Sequence, residues 1–419
     1  MWIDRLLKLE AAERPAVLWA FAYFFCLLCA YYILRPVRDA MGIAGGVENL
    51  QWLFSATFVV MLLAVPLYGW ATRRFSRHRL LPMVYGFFIL NLLIFYLLFL
   101  TQAAPTWTAR AFFVWLSVFN LFVISVFWSF MADLFRQPQA KRLFGLIAAG
   151  GSAGAIAGPG ITALLSVSVG TANLLLISAA LLVVTIVCIY QLIHWADRSP
   201  DKPTNQNHVQ DAPLGGSVLA GFRLLVRSPY LLGIGFYILI YTTLATFLYF
   251  GQAHIIKATF ASTAERTQWF AVIDLAVNAL TILTQLFITS RLVNRFGLSI
   301  TLSLIPLLMA AGFIALGASP ILMVLAVFQI IRRAGNYAIA KPAREMLFTV
   351  LSREEKYKAK NVIDTVVYRG GDALSGWLFA GLMAMGLGLS GIAFIGTGFA
   401  LLWAVNGWWL GKQQVSPGK

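Results

Sequence analysis

Arginines and aspartates set inside apolar runs are the residues of this sequence with the capacity for chemistry. The stretch "YYILRPVRDAMG" places Arg35, Arg38 and Asp39 directly after a long apolar segment. Further along, Asp133 closes one apolar run and Asp274 lies inside another. Arg332, Arg333, Lys341, Arg344 and Glu345 gather near a third, and Asp364, Arg369 and Asp372 fall in a fourth. An ionisable side chain at the centre of a bilayer costs about 2.5–3.5 kcal/mol on insertion scales, so each is a candidate for binding, coupling or gating. Arginine offers planar, two-pronged hydrogen bonding to phosphate or carboxylate, and basic residues from several segments would make an electropositive cavity suited to an anion. A sugar or neutral-drug carrier needs no such concentration. Bland alternatives stand beside these readings: Asp274 has Asn278 one turn on as a hydrogen-bond partner, and arginines near segment ends can snorkel to the headgroups. Tyr31, Tyr32, Trp52, Trp128, Tyr241, Tyr249 and Tyr337 offer stacking surfaces, although a chain with 14% aromatics supplies such neighbours by chance. Cys26, Cys29 and Cys188 all lie in apolar runs with no second pair or histidine cluster to complete a site. No metal, cofactor or enzymatic activity is expected from them.

The elements that must position these groups are membrane helices. Of 419 residues, 60% are hydrophobic and 11% charged, against about a quarter charged in soluble domains. The fold class is therefore an all-α integral membrane protein. A span needs about 20 mainly apolar residues, and such runs fall at 16–34, 52–71, 80–100, 110–131, 143–165, 172–194, 229–250, 268–290, 298–317, 320–340, 362–385 and 390–411. Asp4, Glu10 and Glu13 precede the first run, which is too long for a signal-peptide core, so it reads as a retained span. The polar stretch 195–216 divides the twelve runs six and six, and 217–228, with Arg223 and Arg227 one turn apart, suits a helix lying at the membrane surface. The expected organisation is a six-helix half at 1–194, a linker at 195–228 and a second six-helix half at 229–419. With the N-terminus inside, only Arg35, Arg38, Arg110, Lys257 and Arg266 of the 32 basic residues fall outside, and Arg369 falls within span eleven. The positive-inside rule then puts both termini in the cytoplasm of a plasma (inner) membrane. The same asymmetry accounts for the net charge of +16 without nucleic acid.

Two correspondences suggest a duplication. "GWATRRFSRHR" from Gly69 and "SRLVNRFGLSI" from Ser290 follow spans two and eight, and each resembles the loop G-x-L-x-D-R-x-G-R-[KR] of the major facilitator superfamily. Arg73 and Asn294 take the acidic position, and Ser76 replaces the glycine. After spans four and ten, "ADLF" at Asp133 and "REMLF" at Glu345 each precede a basic cluster and a glycine pair. Twelve helices in two six-helix pseudo-repeats of this type imply a secondary transporter, with substrate bound near the midplane and alternating access. No G-x-x-x-x-G-K-[ST] phosphate loop is present to suggest an ATP-driven motor. "AAGGSAGAIAGPG" in span five spaces Gly150, Gly154 and Gly158 four apart, the pattern of a close helix–helix seam. Its Gly154–Pro159 piece also resembles the fifth-helix motif of facilitator antiporters, without the trailing glycine pair.

Three further stretches resemble the ATP/ADP antiporter family of plastids and intracellular bacteria, a branch of the same superfamily. Tyr31-x-x-Leu34-Arg35-x-x-Arg38-Asp39 is similar to the family's Y-x-x-L-R-x-x-K-D. "QAKRLFGL" from Gln139 is similar to E-A-K-R-F-Y-x-L-F, with Lys141 and Arg142 kept and Gln139 in place of glutamate. "KYKAKNVIDTVV" keeps Lys356, Lys358, Lys360 and Asp364 of K-x-K-G-K-A-A-I-D-V-V, whereas the family's following G-K-S-G-G becomes Gly371-Asp372-Ala373-Leu374-Ser375-Gly376. The resemblance implies exchange of nucleotides, typically ATP for ADP, or of a related phosphorylated anion, by a protein working as a monomer in the lipid bilayer. With the charge pattern, it nominates Arg35, Arg38, Asp39, Lys141, Arg142, Arg332, Arg333, Lys358, Lys360, Asp364 and Arg369 for substrate. Asp133, Asp274, Glu345 and Asp372 are nominated for coupling or gating. Arg38, in the place of a functionally important lysine, is expected to face the cavity as an anion contact held or gated by Asp39, at a point where Pro36 interrupts the helix. Proton-coupled transport of another organic anion or drug stays open on the span-five motif and the aspartates. A non-transporting receptor or assembly factor stays open as well.

Overall fold

A computed structural model describes residues 10, 12–74, 77–198, 218–352, 359–360 and 362–415. Among them the regular secondary structure is all helical. In chain order the α-helices are α1 (Arg14–Ala44), α2 (Leu50–Arg74), α3 (Arg77–Thr101), α4 (Pro105–Leu134), α5 (Gln137–Leu165), α6 (Thr171–Arg198), α7 (Val218–Arg227) and α8 (Pro229–Thr259). They continue with α9 (Thr263–Thr284), α10 (Ser290–Ala318), α11 (Leu322–Gly335), α12 (Lys341–Leu347), α13 (Tyr368–Ala384) and α14 (Leu389–Val415). Proline opens or nearly opens α1, α4, α5 and α8, where its missing N–H would have had no intrahelical partner.

Ten helical stretches among the described residues are long and apolar enough to cross a membrane. One of them, Thr263–Ala318, is 56 residues long. At 1.5 Å per residue that is about 84 Å, far more than a hydrocarbon core of about 30 Å, so it holds two passes. The break comes at Gly297, whose φ of +74° a residue with a Cβ would resist. The eleventh expected span begins as a π-helical turn, Ile363–Val367, and runs on into α13. All twelve expected segments are thus occupied by helix. Of the expected linker, 199–217 lies outside the described residues. The remainder is the end of α6 and α7, the latter with Phe222 and Val226 exposed beside Arg223 and Arg227.

One local expectation is corrected. Pro36 does not interrupt the first helix, and α1 continues through it to Ala44. Proline removes a single donor, while lipid offers the backbone no partner outside the helix, so continuing costs less than unwinding.

The chain divides into two compact units. The first takes Met1–Gly46, Val59–Asn207 and Phe260–Leu275; the second takes Val47–Phe58, His208–Thr259 and Ala276–Lys419. In the first unit α1 is the hub. A Cβ on Gly150 would stand 2.5 Å from the Phe21 carbonyl oxygen, and one on Gly158 would stand 2.7 Å from that of Cys29. A Cβ on Gly154 would collide with the Phe25 carbonyl. Thr162 Oγ1 donates to the Ile33 carbonyl at 3.3 Å, continuing the same seam. The span-five glycines therefore serve the close-approach role that their spacing predicts. Aromatic packing closes the other flank of α1, with Phe24 stacked on Phe127 and the Tyr23 and Tyr85 hydroxyls 2.6 Å apart.

In the second unit the closest helix contact lies elsewhere, between α10 and α14. A Cβ on Gly407 would come 2.9 Å from the Leu302 carbonyl oxygen, and one on Gly411 would collide with the Ser299 backbone. Ser303 Oγ donates to the Ala404 carbonyl at 2.9 Å across this seam. Three π-helical turns also belong to this unit: Gln285–Thr289, Asn336–Ala340 and Ile363–Val367.

Candidate functional site

Because α1 runs on to Ala44, Arg35, Arg38 and Asp39 sit on helical turns rather than on a loop. Arg35 Nε lies 3.6 Å from an Asp274 carboxylate oxygen, and Asp274 is only 1% exposed. Arg38 donates from Nε and Nη2 to Asp39 Oδ1 at 3.1 and 2.7 Å, and its guanidinium lies over the Phe113 ring of α4 at 4.7 Å. The first-unit arginines near the end of α1 are thus each held against a carboxylate. Asp274, read from sequence as a partner for Asn278 or a pathway group, is brought to Arg35 from a distant part of the chain.

Lys141 and Arg142 belong to a different place. Arg142 Nη2 reaches Glu13 Oε1 at 2.9 Å and Glu10 Oε1 at 3.4 Å, and Gln139 Nε2 donates to Glu13 Oε1 at 2.9 Å. This network ties the start of α5 to the start of α1. Arg38 is about 25 residues further along α1, on the order of 35 Å along a helix axis. Lys141 is exposed, and Asp133 is half-buried near the end of α4. The nominated residues of the first unit therefore form two groups at opposite ends of one helix.

The second unit gathers its nominated residues on three elements. Arg344 Nη2 lies 3.9 Å from Asp364 Oδ1, and Lys360 donates to Glu345, which fastens α12 to the start of the eleventh span. Arg369 Nη1 lies 3.9 Å from Asp372 Oδ2 and its guanidinium 5.7 Å from the Tyr368 ring. Lys341 is exposed and Arg333 is buried. Lys356 and Lys358 lie outside the described residues.

Arg332 is held differently. Its Nε and Nη2 donate to Gln329 Oε1 at 3.2 and 3.0 Å. Gln329 Nε2 donates in turn to Gln252 Oε1 on α8. No carboxylate among the described residues lies within ion-pair distance of this guanidinium. Tyr241, Tyr337 and Tyr368 are within its electrostatic reach, and the Tyr241 and Tyr368 rings are 6.0 Å apart at a 46° tilt. Gln252, Gln329 and Tyr368 were missed in the sequence, where attention to formal charge passed over neutral polar groups. Two glutamines inside apolar runs were the available signal.

Known proteins place this architecture. Residues 16–264, more than half of the chain, match the family model described as Major Facilitator Superfamily. ADP,ATP carrier protein 1 of Chlamydia muridarum is 23% identical over 89% of this chain and 83% of its own length. The chloroplastic ADP,ATP carrier protein 1 of Arabidopsis thaliana is 22% identical over 86% of this chain and 67% of its own. Among solved structures, nucleoside transporter NupG has a TM-score of 0.64 at 14% identity, covering 96% of this chain and 99% of that one. A bacterial homologue of the human lysosomal transporter Spinster has a TM-score of 0.63 at 13% identity, covering 97% and 98%. Helix count, the six-and-six pattern of spans and the family match agree, and the chain belongs to the major facilitator superfamily.

Proposed function

We propose that this protein exchanges nucleotides, or a closely related phosphorylated organic anion, across a membrane by alternating access. The observation that carries the reading is similarity to ADP,ATP carriers over nearly the whole length of the chain, at 89% coverage for the Chlamydia muridarum protein. Basic residues set inside the spans support it, because burying them is costly unless an anion or a carboxylate compensates. In this reading Arg35, Arg38, Arg332, Arg333 and Arg369 contact substrate from within the spans. Lys141, Arg142, Lys358, Lys360 and Asp364 guide it at the basic face. Asp39, Asp133, Asp274, Glu345 and Asp372 release or re-engage their basic partners as the protein changes state. The protein works as a monomer, as two six-helix halves at 1–194 and 229–419 joined by a linker that carries an interfacial helix, in a plasma (inner) membrane with both termini in the cytoplasm.

The test is exchange in proteoliposomes loaded with ADP and offered labelled ATP. Uptake that depends on internal ADP is expected. Arg38→Ala should abolish it while the purified protein keeps its monodisperse elution. Absence of uptake for every nucleotide tried overturns the reading, and uptake that requires an imposed pH gradient reassigns the chain to proton coupling.

A further inference from the structure

Several nominated basic groups among the described residues face a carboxylate that is already there. Arg35 has Asp274, Arg38 has Asp39, Arg142 has Glu13, Arg344 has Asp364 and Lys360 has Glu345. Arg332 is held in another way, deep in the second unit: its hydrogen-bonding partner is the neutral carboxamide of Gln329. Gln329 is 2% exposed and Gln252 4% exposed, so this anchor is built into the interior of the second unit. A hydrogen-bonded carboxamide fixes direction without cancelling charge. Arg333 lies within electrostatic range and adds positive potential. A half-buried guanidinium held in that way retains its demand for an anion.

The surrounding groups define which anion. Tyr241, Tyr337 and Tyr368 come from α8, from the π-turn after α11 and from the start of α13, and all three lie within electrostatic reach of Arg332. Phenol O–H groups donate to oxyanions, as guanidinium N–H groups do. The Tyr241 and Tyr368 rings are tilted against each other and do not form a parallel slot for a flat base. Two π-turns, Asn336–Ala340 and Ile363–Val367, flank the cluster, and such turns are frequent at functional sites.

We propose that Arg332 with Tyr241, Tyr337 and Tyr368 forms a phosphoryl-binding subsite, and that Gln329 and Gln252 are positioning residues that aim the guanidinium into it. This rests on the nucleotide-exchange reading for its substrate, but the subsite is assigned to the phosphoryl group and not to the base. Mutants of the relay therefore lose affinity in proportion to what the ligand offers in phosphate.

The test is equilibrium binding of ADP, inorganic pyrophosphate and adenosine to the purified full-length protein in nanodiscs. Arg332→Ala and Gln329→Glu, which sets a carboxylate against the guanidinium, should each weaken ADP and pyrophosphate roughly tenfold or more, with adenosine unchanged. Tyr368→Phe should weaken the same two ligands by a smaller factor, and it serves as the variant should Arg332→Ala fail to fold. A loss shared equally by adenosine overturns the proposal in favour of base recognition or a structural role, as does wild-type affinity for ADP and pyrophosphate in all three variants. Arg332-dependent binding of pyrophosphate without any nucleotide binding keeps the subsite and discards the exchange reading. A wild-type protein that binds neither ADP nor pyrophosphate discards both.

Discussion

The first unit packs its central helix backbone to backbone and sets Arg35, Arg38 and Arg142 against carboxylates. The second keeps its tight seam away from its charged segments and leaves Arg332 on neutral amides. In the first, Gly150, Gly154 and Gly158 let α5 lie against α1, the helix that carries Arg35 and Arg38. In the second, Gly407 and Gly411 seat α14 on α10, neither of which carries a nominated residue. Its charged segments are instead interrupted by π-turns at Asn336–Ala340 and Ile363–Val367, whereas the described helices of the first unit contain none. The two units thus differ in how they hold charge, one setting Arg35, Arg38 and Arg142 against carboxylates and the other holding Arg332 on a neutral carboxamide beside π-turns.

The contrast breaks first at the seams. Gly154→Leu forces a side chain into the Phe25 carbonyl, and loss of monodisperse protein in size-exclusion chromatography is expected. Gly160→Leu, where a Cβ meets nothing within 4 Å, should elute like the wild type. Equal behaviour of the two variants would dissolve the claim that α1 and α5 touch through backbone.

The charge pairs give the next effect. Asp274→Asn leaves Arg35 opposite a neutral group in the interior of the first unit, and removing one member of a buried pair costs about 3–5 kcal/mol. A marked drop in thermal midpoint is expected. Lys257→Ala breaks the pair with Glu48 at 2.8 Å, but these side chains are 46% and 66% exposed. An exposed pair contributes about 0–1 kcal/mol, so the midpoint should barely move. Matching shifts would mean that burial does not set the value of these pairs.

The smallest effect concerns the π-turns. Amide exchange in 336–340 and 363–367 should run faster than in the middle of α1, because a widened turn opens at lower free energy than a packed regular helix. Mass-spectrometric exchange in nanodiscs with equal protection in both regions would remove the deformability half of the comparison.

Much of this was legible in the sequence, for reasons that lie in the solvent. Lipid demands runs of about 20 apolar residues, so twelve segments could be marked with no knowledge of packing. The four-residue spacing in span five announced its seam because only small side chains allow such an approach. What the sequence did not carry was pairing. Arg35 and Asp274 lie in different spans far apart in the chain, and either could have served another partner. Pro36 misled because a propensity learned from water loses its force where the backbone has nowhere else to bond. The π-turns left no mark, since one extra residue per turn scarcely disturbs a uniformly apolar pattern. Gln252 and Gln329 stand in apolar runs without a formal charge, so the cost that singles out a buried arginine does not single them out.

The glutamine relay has a consequence for how the protein reads its surroundings. Carboxamides neither gain nor lose a proton anywhere in the physiological range, and a guanidinium stays charged throughout it. An anchor made only of these groups has the same strength on the acidic and the alkaline side of an energised membrane. A grip of that kind does not itself titrate across the physiological range, so any response to the proton gradient has to come from other groups, the aspartates and glutamates of the chain or the ligand's own phosphate.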